Sequence, residues 1–275
     1  KHKTLNKQRM MIVEQMLKNA PNPLLHIADV SGSALFQGDC LDIMPLIPDN
    51  SIDMVFTDLP YGQTQCKWDT PINLELFWKQ INRITKENCA VLLTATEPFA
   101  SALRMSNIKN YKYDFVWKKN KPSGALNANK MPMQNHEMIL VFYRKQPTFN
   151  KILEPRECNE ASKKRLEYKM TGFGGSNTYG STKTEKYKYD PSLRNPTSVR
   201  EFELVPNPLR VHPTEKPISL MEYMITTFSN ENDIVADFTM GVGSTCTASK
   251  NLNRKFIGIE KEPKYYEIAC QRCGF

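Results

Sequence analysis

Short apolar runs separated by turn residues recur along this chain, and two periods alternate in them. Ala34-Leu35-Phe36-Gln37 has the pattern of a strand, Gly38-Asp39 that of a turn, and Cys40 to Leu46 that of a short helix. Pro48-Asp49-Asn50-Ser51 then leads into Ile52-Asp53-Met54-Val55-Phe56, a β-branched and aromatic run that predicts a buried strand. Pro60 and Gly62 stop it sharply. Leu74, Phe77, Ile81 and Ile84 recur at helical spacing within Asn73 to Lys86. Cys89 to Ala95 predicts a second buried strand, and Thr96 with Pro98 opens a helix over Glu97 to Met105. Tyr111 to Trp117 and Met138 to Tyr143 predict further strands, with Lys118 to Gly124 as a basic loop between them. Near the C-terminus, a helix is expected over Ile218 to Phe228 and a strand over Asp233 to Asp237. A helix reaching about Leu252, a strand over Lys255 to Glu260 and a last helix from Pro263 follow. Strands alternating with helices predict an α/β fold with a mainly parallel sheet.

The pattern breaks in two places. Ahead of Ala34, Met10, Val13, Met16 and Leu17 share a helical spacing that Pro21-Asn22-Pro23 ends. A docked surface helix, a subunit contact and a loosely packed arm all fit this segment. From Arg144 to Arg210 the apolar period fades, and Lys, Arg, Tyr, Gly, Ser and Asn take over. The chain therefore divides into an arm (1–33), a first α/β segment (34–143), an insertion (144–210) and a second α/β segment (211–275).

Composition adds a partner. The 275 residues carry a formal net charge of +8 and a pI near 9.0, which suits an acidic polymer. In the insertion, Phe173-Gly174-Gly175-Ser176-Asn177-Thr178-Tyr179-Gly180 precedes Lys183, Lys186, Tyr187, Lys188 and Tyr189. Cations interleaved with aromatics and flexible glycines fit a surface that meets phosphates and base edges. No apolar run approaches the roughly 18 residues of a membrane span. Seven scattered cysteines form no framework and suit a reducing cytoplasm; Cys270-Gln271-Arg272-Cys273 lacks the further ligands of a zinc site, so no metal is expected.

The candidate chemistry gathers at strand ends. Asp58-Leu59-Pro60-Tyr61 presents a carboxylate, a stiffly held carbonyl and an aromatic ring where a strand stops, the edge at which open α/β sheets bind ligands. A carboxylate and a carbonyl that accept from both hydrogens of a ring amine favour the pyramidal nitrogen that attack requires, and Tyr61 can hold the ring. Such a base must leave its duplex first. Trp68, in the loop that follows, is read either as a cap over this site or as a packing anchor. Further on, Asp237-Phe238-Thr239-Met240-Gly241-Val242-Gly243-Ser244-Thr245 turns from a strand into a helix. Two glycines let a ligand approach the backbone, and the helix start offers N–H groups. A nucleotide or nicotinamide site fits that turn equally well. Glu260 ends the next strand, placed to accept from ribose hydroxyls.

Asp58-Leu59-Pro60-Tyr61 resembles the D-P-P-Y motif of the S-adenosylmethionine-dependent DNA amino-methyltransferases, with Leu59 at the usual first proline. Val211-His212-Pro213-Thr214-Glu215-Lys216-Pro217 resembles their H-P-T-x-K-P signature. The Asp237 turn resembles D-P-F-x-G-x-G, with Phe238 and Thr239 at the Pro and Phe positions. The order, with the catalytic motif before the cofactor motif and the insertion between, is similar to the β class. The resemblance implies a Rossmann-like sheet with permuted motif order, catalytic residues Asp58, Leu59, Pro60 and Tyr61, and an inserted target-recognition region. It also implies S-adenosylmethionine held by Asp39, Asp237, Gly241, Gly243, Ser244, Thr245 and Glu260, with Lys216 on its carboxylate and His212 orienting nearby groups. The partner implied is double-stranded DNA in a prokaryotic or phage-infected cytoplasm, without a membrane. The class often pairs as homodimers, and the sequence leaves that open. Asp in the motif is associated with N6-adenine products; N4-cytosine methylation and a silent DNA-binding protein of the same fold are the alternatives.

Overall fold

The computed structural model describes residues 11–16, 18, 26–28, 32–62, 70–156 and 192–275. They fall into two compact units, one of residues 1–150 with 198–275 and a smaller one of residues 151–197. The compact insertion is thus shorter at both ends than the compositional break. In the smaller unit, β7 (Glu154–Pro155) pairs antiparallel with β8 (Leu193–Arg194). The aromatic and basic stretch 173–189 lies outside the described residues, as do Cys66 and Trp68.

The larger unit is built on a nine-stranded sheet. Its strands are β1 (His26–Ala28), β2 (Ala34–Gln37), β3 (Ile52–Thr57), β4 (Thr85–Ala95), β5 (Tyr111–Ser123), β6 (Gln134–Phe142), β9 (Val199–Phe202), β10 (Ile234–Asp237) and β11 (Lys255–Glu260), in the order β1-β2-β11-β10-β3-β4-β6-β5-β9. β2, β11, β10, β3 and β4 run parallel, and β6 reverses against β4. This is the expected α/β class. β10 lies beside β3, with Val235 opposite Met54 and Ala236 opposite Val55. From β10 the chain crosses to β11 on one side, and from β3 to β4 on the other. The two motif-bearing strands therefore end side by side at the switch point of the sheet.

Helices cover both faces, which explains the unbroken apolar runs of the central strands. Along β3, Val55 points into one layer, with Phe77, Trp78 and Ile81 of α2 (Leu74–Ile84; α1 is Cys40–Ile43) and Leu103 of α3 (Phe99–Ser106). Met54 and Phe56 point into the other, with Leu220, Met224 and Phe228 of α4 (Ile218–Phe228). Each large apolar side chain removed from water in this way contributes about 1.5–3 kcal/mol. The N-terminal segment is helical over residues 11–16, with Val13 and Met16 buried in the first layer.

Two elements depart from the sequence pattern. Lys118 to Gly124, expected as a loop, continues β5 as far as Ser123, and β6 begins at Gln134 rather than Met138. Lys118 pairs with His136 on one side and Glu201 on the other, and Ser123 with Gln134. Pairing with β6 and β9 at Lys118, and with β6 at Ser123, thus draws into the strand a lysine-rich run that has no strand preference of its own.

Candidate active site

Asp58 follows β3 directly, and its two carboxylate oxygens and its carbonyl are all engaged. Its Oδ1 accepts from the Tyr61 hydroxyl at 2.7 Å and from the Thr94 hydroxyl, and its Oδ2 accepts from Lys216 Nζ at 2.5 Å. Its carbonyl accepts from the Thr239 hydroxyl at 2.9 Å. The loop is thereby pinned to β4 and to the turn after β10. Leu59 is buried in the first core layer, and among the described residues no hydrogen bond engages its carbonyl. The Tyr61 ring packs on Phe99, centroids 5.1 Å apart. Burial and the neighbouring Asp58 push the Tyr61 phenol well above its ordinary value, so it stays a hydrogen-bond donor.

The turn after β10 explains the two departures from the resembling motif. Phe238 points into the core, edge-on to Phe77 at 6.3 Å, and supplies packing there. Thr239 gives a hydroxyl, which bonds the Asp58 carbonyl and lies 2.8 Å from the Thr57 hydroxyl. Two adjacent strand ends are joined through side chains rather than an aromatic contact. Gly241 has φ +53°, and a Cβ there would meet nothing within 4 Å, so its backbone faces open space. Gly243 has φ +78° and sits against Ala269, where a Cβ would come within 3.0 Å. α5 (Ser244–Asn251) starts there, with Ser244 and Thr245 buried at its first turn.

Glu260 ends β11, with Oε2 accepting from the Gly241 N–H at 2.8 Å and Oε1 from the Glu262 N–H at 2.7 Å. Burial pushes its carboxyl up. Asp39 caps α1 through the Leu41 N–H at 3.0 Å and meets Lys261 Nζ at 3.1 Å. Asp237 is buried, and desolvation raises it to about 6, although Thr245, Thr57 and the Thr239 N–H bond it. The folded state thus holds this proton more tightly than the unfolded chain. Asp237 therefore costs stability as pH rises from about 4 to about 6, and the whole penalty is present above that. Asp237→Asn should flatten this part of the difference in unfolding free energy across pH 4–7. Parallel curves for the two proteins would remove the assignment.

Lys216, which the resemblance implies on a cofactor carboxylate, lines the cavity, where its buried ammonium pairs with Asp58 and lies 3.4 Å from Glu137 Oε2. Burial opposes the cation, yet the two carboxylates outweigh it and raise its affinity for the proton. Glu137, on β6, is itself mostly buried and takes Lys119 Nζ on Oε1 at 2.5 Å. Burial alone would raise Glu137, but Lys216 and Lys119 hold it below the ordinary carboxylate range. His212 packs edge-on to Tyr265 at 4.3 Å, and its Nδ1 accepts from the Thr214 N–H at 3.2 Å. Burial lowers His212, outweighing the pull of Asp58.

Asp39, Asp58, Tyr61, Glu137, Lys216 and Asp237 line one cavity of about 350 Å³ together with His212, Gly241, Ser244, Thr245 and Glu260, whereas Gly243 is not part of its lining. Sequence reasoning missed Thr94, Glu137 and Glu215. Glu137 had a signal, an acid opening the apolar run Met138 to Phe142. Glu215 is buried, accepts from the Val211 N–H at 3.1 Å and binds Arg272 at 2.8 Å, holding its loop against α6 (Pro263–Cys273). Among the described residues no group of acids, histidines and cysteines is arranged to hold a metal ion, and no helix is long and apolar enough to cross a membrane.

A family model described as DNA methylase, covering the N6 and N4 amino-methyltransferases, matches residues 52–271. The chain belongs to this DNA methylase family. It is 29% identical over 262 residues to the Type II methyltransferase M.BglII of Bacillus subtilis, covering 86% of this chain and 68% of that one. It is 26% identical over 269 residues to M.HinfI of Haemophilus influenzae, covering 87% and 68%. The fold is shared with the solved M1.HpyAVI in complex with SAM (TM-score 0.57, 24% identity, 88% and 98% covered). It is shared also with the cytosine-N4-specific PvuII DNA methyltransferase (TM-score 0.61, 16% identity, 87% and 85% covered). With Asp58 ahead of the glycine turn in the chain, this methylase has the β-class motif order.

Proposed function

We propose that this methylase transfers the methyl group of S-adenosylmethionine to the N6 amine of an adenine swung out of double-stranded DNA. The observation that carries the reading is the shared cavity, which has Asp58 and the Leu59 carbonyl on one wall and the Gly241 turn with Glu260 on another. The residues fit the cofactor. Glu260 accepts the N–H groups of Gly241 and Glu262 on its two oxygens, and its carboxylate has further lone pairs for a ribose hydroxyl. Gly241 leaves its backbone open to close approach. Asp39 borders the same wall, and Asp237 supports the turn from beneath through the Thr239 N–H. Ser244 and Thr245 begin the helix whose free N–H groups suit a carboxylate. Bound there, S-adenosylmethionine supplies a methyl on a sulfonium, and its displacement leaves a neutral thioether.

The chain's own residues position the amine. Asp58 Oδ2 carries one donor, Lys216, and keeps room for an amine hydrogen, while the Leu59 carbonyl accepts the other. The nitrogen becomes acidic as the new C–N bond forms and passes the hydrogen held by Asp58 to that carboxylate, so Asp58 need not be a strong base. Tyr61, backed by Phe99 and held to Asp58, offers the ring a fixed face. Catalysis is mainly positioning and exclusion of water. Adenine is favoured over cytosine because Asp, rather than Ser, heads the motif. The insertion around residues 144–210 reads the target site, and both curated relatives named above are Type II methyltransferases, which supports a site-specific modification role in a prokaryotic cytoplasm.

The test is transfer of labelled methyl to mixed-sequence double-stranded DNA, followed by nucleoside mass spectrometry and sequencing of the modified sites. N6-methyldeoxyadenosine is expected. N4-methylcytosine would keep the mechanism and overturn the base. Cofactor binding without any product would favour a silent DNA-binding protein.

A further inference from the structure

We infer that the hairpin formed by residues 118–136 is a DNA-inserting arm whose apolar tip enters the base stack beside the displaced nucleotide. The inference rests on the DNA-methylating function proposed above and assigns the step that opens the duplex to a segment outside the catalytic and cofactor motifs.

Topology sets the arm over the site. β6 runs against β4, with Met138 opposite Ala95 at the carboxyl end of that strand. Residues before Met138 on β6, and after Val116 on β5, therefore lie beyond the carboxyl end of β4, the end where Asp58 stands. There β5 is still paired to β9 as far as Lys119. Glu137 is the last β6 residue lining the cavity. From there to Gln134, the last paired position, is about 10 Å at the usual strand rise. The arm is thus rooted in the cavity wall and reaches outward from it.

Its composition fits one partner. Residues 120–136 are all exposed, yet include Leu126, fully exposed, with Met131 and Met133 beside it. Apolar side chains held at the tip of an ordered hairpin gain nothing from folding. Between Trp117 and Glu137 the chain has four lysines and a histidine but no acid. Exposed leucine and methionine flanked by cations complement stacked bases flanked by phosphates. Leucine, methionine and proline are side chains that architectural DNA-binding proteins wedge between base steps. Lys119 meanwhile bonds Glu137, which faces Lys216 on Asp58, so the root of the arm and the catalytic carboxylate share one ion network.

The test uses the full chain and a duplex bearing the mapped site, with 2-aminopurine, or pyrrolocytosine for a cytosine target, at the flipped position. Leu126→Ala with Met131→Ala should reduce the fluorescence rise and kcat/KM roughly tenfold on the matched duplex, with recovery on a duplex mismatched at the target. Its salt dependence of binding should match wild type. Lys121→Gln with Lys130→Gln should instead weaken binding to all sequences and lower the salt slope by about one per lysine. Full flipping by the Leu126/Met131 variant overturns the inference, as does flipping unchanged with a lost dimer in sedimentation, which would assign the tip to a second copy. Wild type that neither flips nor methylates any base would instead overturn the function beneath it.

Discussion

Replacing Asp58 with alanine is expected to reduce methyl transfer by at least about 10²–10³-fold, the usual effect of deleting one preorganised electrostatic group at a reacting centre. The carboxylate is where the Tyr61 hydroxyl, the Thr94 hydroxyl and the Lys216 ammonium converge. Its removal takes away the acceptor proposed above for the amine and the hydrogen-bond anchor of the Tyr61 ring. The backbone should hold its path, because Thr239 bonds the Asp58 carbonyl rather than the side chain. Lys216 keeps Glu137 as a partner, so no cation is left alone. Glu260 and Gly241 bond each other without help from Asp58. Cofactor affinity, measured by calorimetry, should therefore stay near wild type while kcat collapses. Turnover retained within tenfold would remove Asp58 from the chemistry.

Much of this site can be read in the sequence, because the information is local. Strand, turn and helix around Asp58 and around Gly241 each fit within about ten residues, and the helix over Ile218–Phe228 and the strand over Lys255–Glu260 were placed at their observed bounds. What the sequence hid depends on pairing between distant segments. Thr239 looks like a defect in a motif until β10 is laid beside β3 and its hydroxyl meets Asp58. Thr94 is one polar position in a buried run, and only its register beside β3 brings it to the carboxylate. Lys118 to Ser123 have no strand pattern, since their order comes from pairing with β6 and, as far as Lys119, with β9. Lys216 was placed by resemblance, and the partner it holds lies 158 residues away in the chain.

That partner gives the second large effect. Lys216→Met keeps the stem and removes the charge, leaving Asp58 and Glu137 to share a mostly buried site without their common cation. Breaking a buried pair from one side costs about 3–5 kcal/mol, and the partial exposure of Asp58 points to the lower end. In the wild type Glu137 lies below its ordinary carboxylate range, so it contributes stability above that range and loses it on acidification. In the variant the larger opposing cation is gone and burial draws Glu137 the other way. The stability gap to wild type should thus be widest near pH 7 and shrink as pH falls toward the carboxylate range. Glu137→Gln should recover part of the loss in the Lys216→Met background while destabilising the wild type, a coupling that a double-mutant cycle measures. No coupling, with stability intact and cofactor affinity alone reduced, would return Lys216 to the cofactor carboxylate.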